Sequence, residues 1–288
     1  MRGTDRIKVI GIVGAGTMGS GIASSCAISG FKTYIFDLNI DIVNKAIEKI
    51  IRGYDKLVVK GKLEKSKSES SVENLIGVSS LEELSDCDLL IEAAIEDIIK
   101  KKELFQSLEK IAADDIVIAT NTSSLSVTAI SAALSIYRQR VVGMHFFNPA
   151  NIMKLVEVIR GEFTSDEAVN IVIDLSKKLG KVPVICKDTP AFIVNRVARA
   201  FYGEALKIIG EEALNVEIID RIMRDEGGFA MGPFELMDLI GIDINLSVTK
   251  SVYEAFYYDQ KYKPSPIQQK MVDAGLLGRK TGQGFYKY

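Results

Sequence analysis

Short runs rich in β-branched and other apolar residues recur along the first two thirds of the chain. They lie at 7–13 (IKVIGIV), 32–37 (KTYIFD), 88–94, 116–120, 141–146, 155–159 and 182–186. Runs of this length predict strands. Stretches with helical spacing separate several of them. In 17–29 (TMGSGIASSCAIS), Met18, Ile22, Cys26 and Ile28 fall roughly along one side, and 97–112 and 165–179 are also helical. Strand, helix, strand in repetition predicts an α/β fold, a parallel sheet with helices on both faces. From Thr189 onward the strand pattern stops. Thr189 reads as an N-cap with Pro190 at the first helical position, where its missing N–H costs nothing. Helical periodicity then runs to about Gly210, and further helices follow to the end. The expected division is an α/β domain over 1–187 and an all-α domain over 188–288. No internal repeat appears.

Composition narrows the function classes. A chain of 288 residues, 47% hydrophobic and 26% charged, is long enough for two domains with a well-buried core. The net charge of −2 gives no bulk attraction to nucleic acid or to an acidic membrane. No stretch reaches the roughly 20 apolar residues of a membrane span. The three cysteines, Cys26, Cys87 and Cys186, are far apart, and there is one histidine. These offer no metal-ligand cluster and fit a reducing, cytoplasmic setting. Arg2, Arg6 and Lys8 before an apolar run superficially mimic a secretory leader, but Gly11, Gly14 and Gly16 break that run.

Those glycines have another reading. GIVGAGTMGSGIA places Gly14, Gly16 and Gly19 directly after the first strand and at the opening of the first helix. Gly14 can make the tight turn, Gly16 admits a pyrophosphate to the backbone, and Gly19 lets helix and strand pack closely. The helix-start N–H groups, with Thr17 and Met18 in the first turn, then face the phosphates. Asp37 ends the second strand, where a carboxylate can accept from the adenosine ribose hydroxyls and repel a 2′-phosphate. No Arg follows it in DLNI, so NAD is favoured over NADP. The bland reading is a glycine-rich turn that binds nothing, with Asp37 a solvated strand end.

The only histidine, His145, lies in MHFFNPA. A lone histidine in an apolar context is more often structural than catalytic. A nicotinamide domain changes that weighting, because alcohol dehydrogenation needs a group to take the hydroxyl proton as hydride leaves carbon, and histidine titrates nearest neutrality. Lys or Tyr could also serve.

In order along the chain stand GAGTMGSGIA, NTSSLSVTAI, HFFNPANIMKLVEVI, DTPAFIVNR, MGPFELMDLIG and GRKTGQGFYKY. Together they resemble the L-3-hydroxyacyl-CoA dehydrogenase family in its short stand-alone form, over nearly the whole chain. The resemblance implies a Rossmann-type doubly wound sheet followed by an all-α C-terminal domain, with substrate bound between the two. It implies reversible NAD-dependent oxidation of a (S)-3-hydroxyacyl-CoA, of the short-chain 3-hydroxybutyryl-CoA kind, to the 3-oxoacyl-CoA.

The same resemblance implies roles for individual residues. His145 is the general base in oxidation and the acid in reduction, oriented by Glu157 in KLVEVI, which stabilises its charged form. Ser123 in NTSSL holds substrate and histidine, and Asn195 in FIVNR donates to the substrate carbonyl. Glu96 and Lys101 match cofactor-side positions. The lysines around Lys56 and Lys67 attract coenzyme A phosphates, and the helical domain forms a homodimer. Read alone, Glu157 is a strand carboxylate facing solvent, NTSS an ordinary turn and N-cap, Asn195 a helix-surface amide, Glu96 and Lys101 a charged helix face, and 56–70 a solvated helical hairpin. The family usually has Gly where this chain has Ala191, and Asp225–Glu226 make the turn before GGFAMGPFEL unusually acidic. Two other functions fit the sequence: a related NAD-dependent dehydrogenase of a small hydroxy acid or sugar acid, and a nucleotide sensor that binds NAD without turnover.

Overall fold

The structure is a computed structural model that describes residues 7–288; Arg2 and Arg6 lie outside the described residues. The chain divides into two compact units, the first ending at Thr189 and the second beginning at Pro190.

The first unit is built on one sheet. Its strands are β1 (Val9–Val13), β2 (Lys32–Phe36), β3 (Leu75–Val78), β4 (Leu89–Glu92), β5 (Val117–Thr120), β6 (Val141–Phe146), β7 (Leu155–Arg160) and β8 (Val182–Lys187). They lie in the order β3-β2-β1-β4-β5-β6-β7-β8. The chain winds outward from β1 in one direction to β3 and then returns to start again at β4. That reversal leaves a crevice at the carboxyl ends of β1 and β4, where open α/β sheets bind ligands. The inner strands are apolar because helices cover them: Ile10, Ile12, Ile35, Leu89, Ile91 and Ile118 have no exposed surface, whereas Val182, Val184 and Ile185 of the edge strand β8 are exposed. Burying each such side chain contributes about 1.5–3 kcal/mol.

Two features of the sheet differ from expectation. β3 was not among the expected strands. It is only four residues long, and Gly77 interrupts its apolar run. The sheet is also not wholly parallel, because β7 runs antiparallel to β6. Only residues 147–154 join them, and a parallel crossover needs about a dozen residues or more. The short link therefore forces a hairpin.

Helix α1 (Thr17–Ile28) follows β1 and is buried along most of its length, including Gly19, Ser20, Ala23, Ser24 and Ala27. Its small side chains let it lie close on the sheet. A Cβ on Gly19 would stand 1.8 Å from the carbonyl oxygen of Gly14, so no other residue fits there. α2 (Ile40–Val59) starts at Asn39, whose side chain accepts from the Asp41 N–H. It turns into α3 (Lys65–Glu73), so the lysine-rich segment is a helical hairpin with Lys56, Lys60, Lys62, Lys65 and Lys67 exposed. α4 (Ile98–Ile111), α5 (Val127–Ser131) and α6 (Asp166–Lys178) complete the unit.

The second unit contains α7 (Val194–Gly210), α8 (Val216–Asp225), α9 (Pro233–Ile240), α10 (Ile242–Ala255) and α11 (Pro266–Asp273). Its core joins Tyr202, Leu206, Ile219, Phe234, Met237 and Ile242. α7 begins later than the sequence suggests. Thr189 and Pro190 do not open it, because Ala191 and Phe192 are left-handed (φ 64° and 48°) and interrupt any helix before Val194. The left-handed angle also gives the departure at Ala191 a cost. Glycine adopts it freely, whereas an L-residue carries a cost of about 1–2 kcal/mol.

Two buried aspartates pin the C-terminal tail. Asp220 accepts from the Phe234 and Glu235 N–H groups and from the Tyr286 hydroxyl. Asp238 accepts from the Phe285 and Tyr286 N–H groups and from the Tyr288 hydroxyl. A Cβ on Gly284 would lie 2.2 Å from Asp238 Oδ1, which accounts for the glycine in GQGFYKY. Among the described residues, no helix is long and apolar enough to cross a membrane.

Candidate active site

The glycine turn is fixed from both ends. Gly14 (φ 108°) follows β1, and its N–H donates to the Phe36 carbonyl at 2.8 Å. The Ala15 N–H donates to Asp37 Oδ2 at 2.8 Å. Asp37 thus spends one oxygen on shaping the turn, a role the sequence did not show.

Gly16 is the N-cap of α1, with no side-chain cap and no acidic residue in the first turn. A Cβ built on Gly16 meets nothing within 4 Å. Open space over uncapped helix N–H groups suits a pyrophosphate, so the residues present fit a dinucleotide. Beside the turn opens a cavity of about 220 Å³, lined by Gly16, by Thr17 and Ser20 of α1 and by Ile42, Lys45 and Lys49 of α2. Met18 instead turns toward the core. Lys45 and Lys49, one helical turn apart, flank the glycine turn, and the lysines at 56–67 are not in this lining.

At the carboxyl end of β6 stands His145. The antiparallel register sets it directly opposite Glu157 on β7. Side chains of directly opposed residues share a face of the sheet. Accordingly, His145 Nδ1 lies 2.7 Å from Glu157 Oε2, and both residues are buried (5% and 1% exposed). An ionised carboxylate can only accept, so a neutral imidazole paired with one donates from Nδ1 and carries its lone pair on Nε2. The Phe147 ring packs against the imidazole with centroids 4.5 Å apart. Glu157 is therefore not the solvent-facing carboxylate of the bland reading.

β5 delivers the NTSS loop next to that strand. The Asn121 side chain accepts from the Phe146 N–H at 2.8 Å, tying the loop to the histidine's neighbour. Ser123 follows, half-buried. Its N–H donates to Glu96 Oε1 at 2.9 Å, and its hydroxyl donates to the same oxygen at 3.3 Å. The Thr122 hydroxyl (2.6 Å) and the Ser124 N–H (3.2 Å) also donate to that oxygen. Partial burial opposes ionisation of Glu96. The Lys101 charge and the Thr122 and Ser123 hydrogen bonds outweigh it and hold the carboxyl below its usual range.

Lys101 is not on a solvated face. It is 1% exposed, and its Nζ sits 2.5 Å from Glu92 Oε1 and 3.5 Å from Glu96 Oε2. A signal for this was present, because Lys101 precedes the buried Phe105 and Leu108 by four and seven residues, on the same stripe of α4. Glu92 and Asn121 were not among the expected site residues.

Asn195 belongs to the second unit, at the second position of α7, and is half-buried. Lys56 and Lys67 lie on the exposed hairpin. Among the described residues, no group of three His, Cys, Asp or Glu side chains could hold a metal ion.

A family model described as 3-hydroxyacyl-CoA dehydrogenase, NAD binding domain, matches residues 9–189. A second, 3-hydroxyacyl-CoA dehydrogenase, C-terminal domain, matches 192–288. The 3-hydroxyadipyl-CoA dehydrogenase of Escherichia coli (strain K12) is 43% identical over 282 residues, which is 98% of this chain and 59% of that protein. A probable 3-hydroxybutyryl-CoA dehydrogenase of Deinococcus radiodurans is 41% identical over 96% of this chain and 99% of its own length. The crystal structure of (S)-3-hydroxybutyryl-CoA dehydrogenase from Ralstonia eutropha superposes with a TM-score of 0.93 at 40% identity, covering 98% of this chain and 99% of that one.

Proposed function

The chain belongs to the 3-hydroxyacyl-CoA dehydrogenase family of NAD-dependent oxidoreductases, and from that premise we propose that it interconverts a short-chain (S)-3-hydroxyacyl-CoA and its 3-oxoacyl-CoA, with His145 moving the proton. The observation that carries this reading is the buried His145–Glu157 pair, matched in register and 2.7 Å apart. Bound NAD supplies the acceptor for the hydride that leaves C3. His145 Nε2 takes the hydroxyl proton, and Glu157 holds the ring and stabilises its cation. In the reverse direction the imidazolium returns that proton to the 3-oxo oxygen.

Gly14, Gly16, Thr17, Met18 and Gly19 would hold the dinucleotide through the backbone of the turn and first helical residues, and Asp37 would accept from the adenosine ribose hydroxyls. Glu96 and Lys101 serve the cofactor side through the Ser123 loop they support. The Ser123 hydroxyl and the Asn195 amide hold the oxygens that change charge. Lys56 and Lys67 attract coenzyme A phosphates.

The second unit is the surface of a homodimer in this reading, supported by its exposed Val197, Phe229, Leu239 and Ile244. Sedimentation equilibrium checks that assembly. Three free thiols suit a reducing compartment, for which we take the cytoplasm.

Acetoacetyl-CoA-dependent oxidation of NADH tests the function, and absence of turnover on any 3-oxoacyl-CoA would overturn it. His145→Gln is expected to lower kcat by roughly 10²–10⁴-fold with NADH affinity nearly unchanged. Unimpaired turnover in that variant would remove His145 as the base.

A further inference from the structure

β4 ends on a carboxylate buried in the sheet, as β7 buries Glu157. Glu92 has no exposed surface, with Val13 of β1 and Thr120 of β5 beside it in register. Its Oε1 accepts from the Ala94 N–H at 2.7 Å and from Lys101 Nζ at 2.5 Å, and its Oε2 accepts from the Thr120 hydroxyl at 2.7 Å. Taking a carboxylate and an ammonium out of water is costly, and hydrocarbon of similar volume often serves stability as well or better. Stability alone therefore does not account for this pair.

What lies beyond the pair does. Lys101 stands between two carboxylates, close to Glu92 and 1 Å farther from Glu96 (2.5 against 3.5 Å). Glu96 in turn gathers the Thr122 hydroxyl and the Ser123 and Ser124 N–H groups on Oε1. The Thr120 hydroxyl that donates to Glu92 also accepts from the Thr122 N–H at 3.3 Å. The two carboxylates thus reach the same loop by separate routes.

We propose that Glu92 is a positioning residue: it neutralises Lys101 and holds the ammonium off Glu96, leaving Glu96 to shape the Ser123 loop. The role assigned to that loop rests on the proposed function. Without the Glu92 charge, buried Lys101 has Glu96 as its remaining partner in the triad. Glu96 then closes on Nζ, its Oε1 withdraws from the Ser123 and Ser124 amides, and Ser123 leaves its place. Misplacing a substrate-holding group by about 1 Å can cost on the order of 10²-fold in rate.

The test compares the wild-type chain with E92Q, K101M and E92Q/K101M. Amide hydrogen exchange over residues 121–126 reads the loop directly. Turnover of NADH with acetoacetyl-CoA reads its consequence. E92Q is expected to speed exchange in the loop and to lower kcat by about 10–100-fold, with the KM for acetoacetyl-CoA within about 3-fold. The double variant, which has no unpaired buried charge and keeps the fold if E92Q alone does not, is expected to slow exchange again and to exceed E92Q in kcat. Loop exchange unchanged in E92Q, or a double variant whose losses equal the product of the single ones, would overturn the proposal. A wild-type chain inactive on acetoacetyl-CoA would sink the proposed function and leave the exchange measurement to decide this one.

Discussion

In the first unit, the buried carboxylates of Glu92 and Glu157 face a lysine ammonium and an imidazole. In the second, Asp220 and Asp238 face backbone N–H groups and tyrosine hydroxyls, two amides and one hydroxyl each. Both arrangements answer the same problem, the loss of hydration around a buried carboxylate. A charged partner fixes polarity and can take part in proton transfer. Neutral donors fix geometry alone. The direction of titration follows the difference. Glu96, beside Lys101, is held below the usual carboxylate range despite partial burial. Asp220 is pushed above it, because burial, with the nearby Glu235 charge, outweighs the three hydrogen bonds it accepts. The first unit uses charge where chemistry is expected, and the second uses hydrogen bonds to fasten a tail.

Substitutions that keep shape and remove charge sharpen this contrast. Glu157→Gln is expected to have the largest effect, a loss of roughly 10²-fold in kcat with little change in NADH affinity, since the amide cannot stabilise the imidazolium. Steady-state kinetics beside a fluorescence titration with NADH would check it; a kcat within 3-fold of wild type would end the distinction between the two units.

The second unit should respond to loss of acceptors more than to loss of charge. Asp220→Ala leaves two amides and a tyrosine hydroxyl without their partner and is expected to cost about 3 kcal/mol or more. Asp220→Asn keeps one acceptor and should cost about half as much. Urea melts of the two variants give the comparison, and equal losses would show that charge matters in both units.

Acid should pull the two regions in opposite directions. The stability contributed by Glu96 is present above its unfolded pKa of about 4.3 and is lost as pH falls through its lower folded value. That of Asp220 is present below about 3.9 and is lost as pH rises through its raised folded value. Urea midpoints followed from pH 3 to 6 should therefore fall less on acidification in Glu96→Gln than in wild type. In Asp220→Asn they should fall more. The same slope in all three proteins would contradict both assignments.

The smallest effect concerns the start of the helical unit. Ala191→Gly removes left-handed strain but also a methyl group that is buried with Val252 and Tyr262. The expected net gain is below about 1 kcal/mol, read as a small rise in the urea midpoint. A loss would mean that the methyl group packs better than the backbone suffers.

Much of the candidate site was legible because its geometry is local. Gly14, Gly16, Gly19 and Asp37 meet at a turn, a helix start and a strand end that lie close in sequence, so spacing alone brings them together. The hairpin between β6 and β7 was also within reach, since eight residues cannot carry a parallel crossover. Once the hairpin is known, residues 145 and 157 become cross-strand candidates, though the register that pairs them is a property of the folded sheet. β3 carries little signal in the sequence, because four residues around a glycine barely differ from a loop.

What the amino-acid sequence determined by itself was the alternation of elements, the dinucleotide turn and the place of its single histidine, all set by short-range periodicity and backbone sterics. Tertiary structure alone decided which partners met the charges that left water. Glu96 and Lys101 look alike on paper as a charged helix face, Glu92 falls in an apolar strand run, and nothing in the sequence sets Asp220 and Asp238 apart from other helix acids. Their different characters come from burial and from partners that are, in several cases, tens of residues away, and hydrophobic periodicity carries no record of which polar atoms face each other inside a fold.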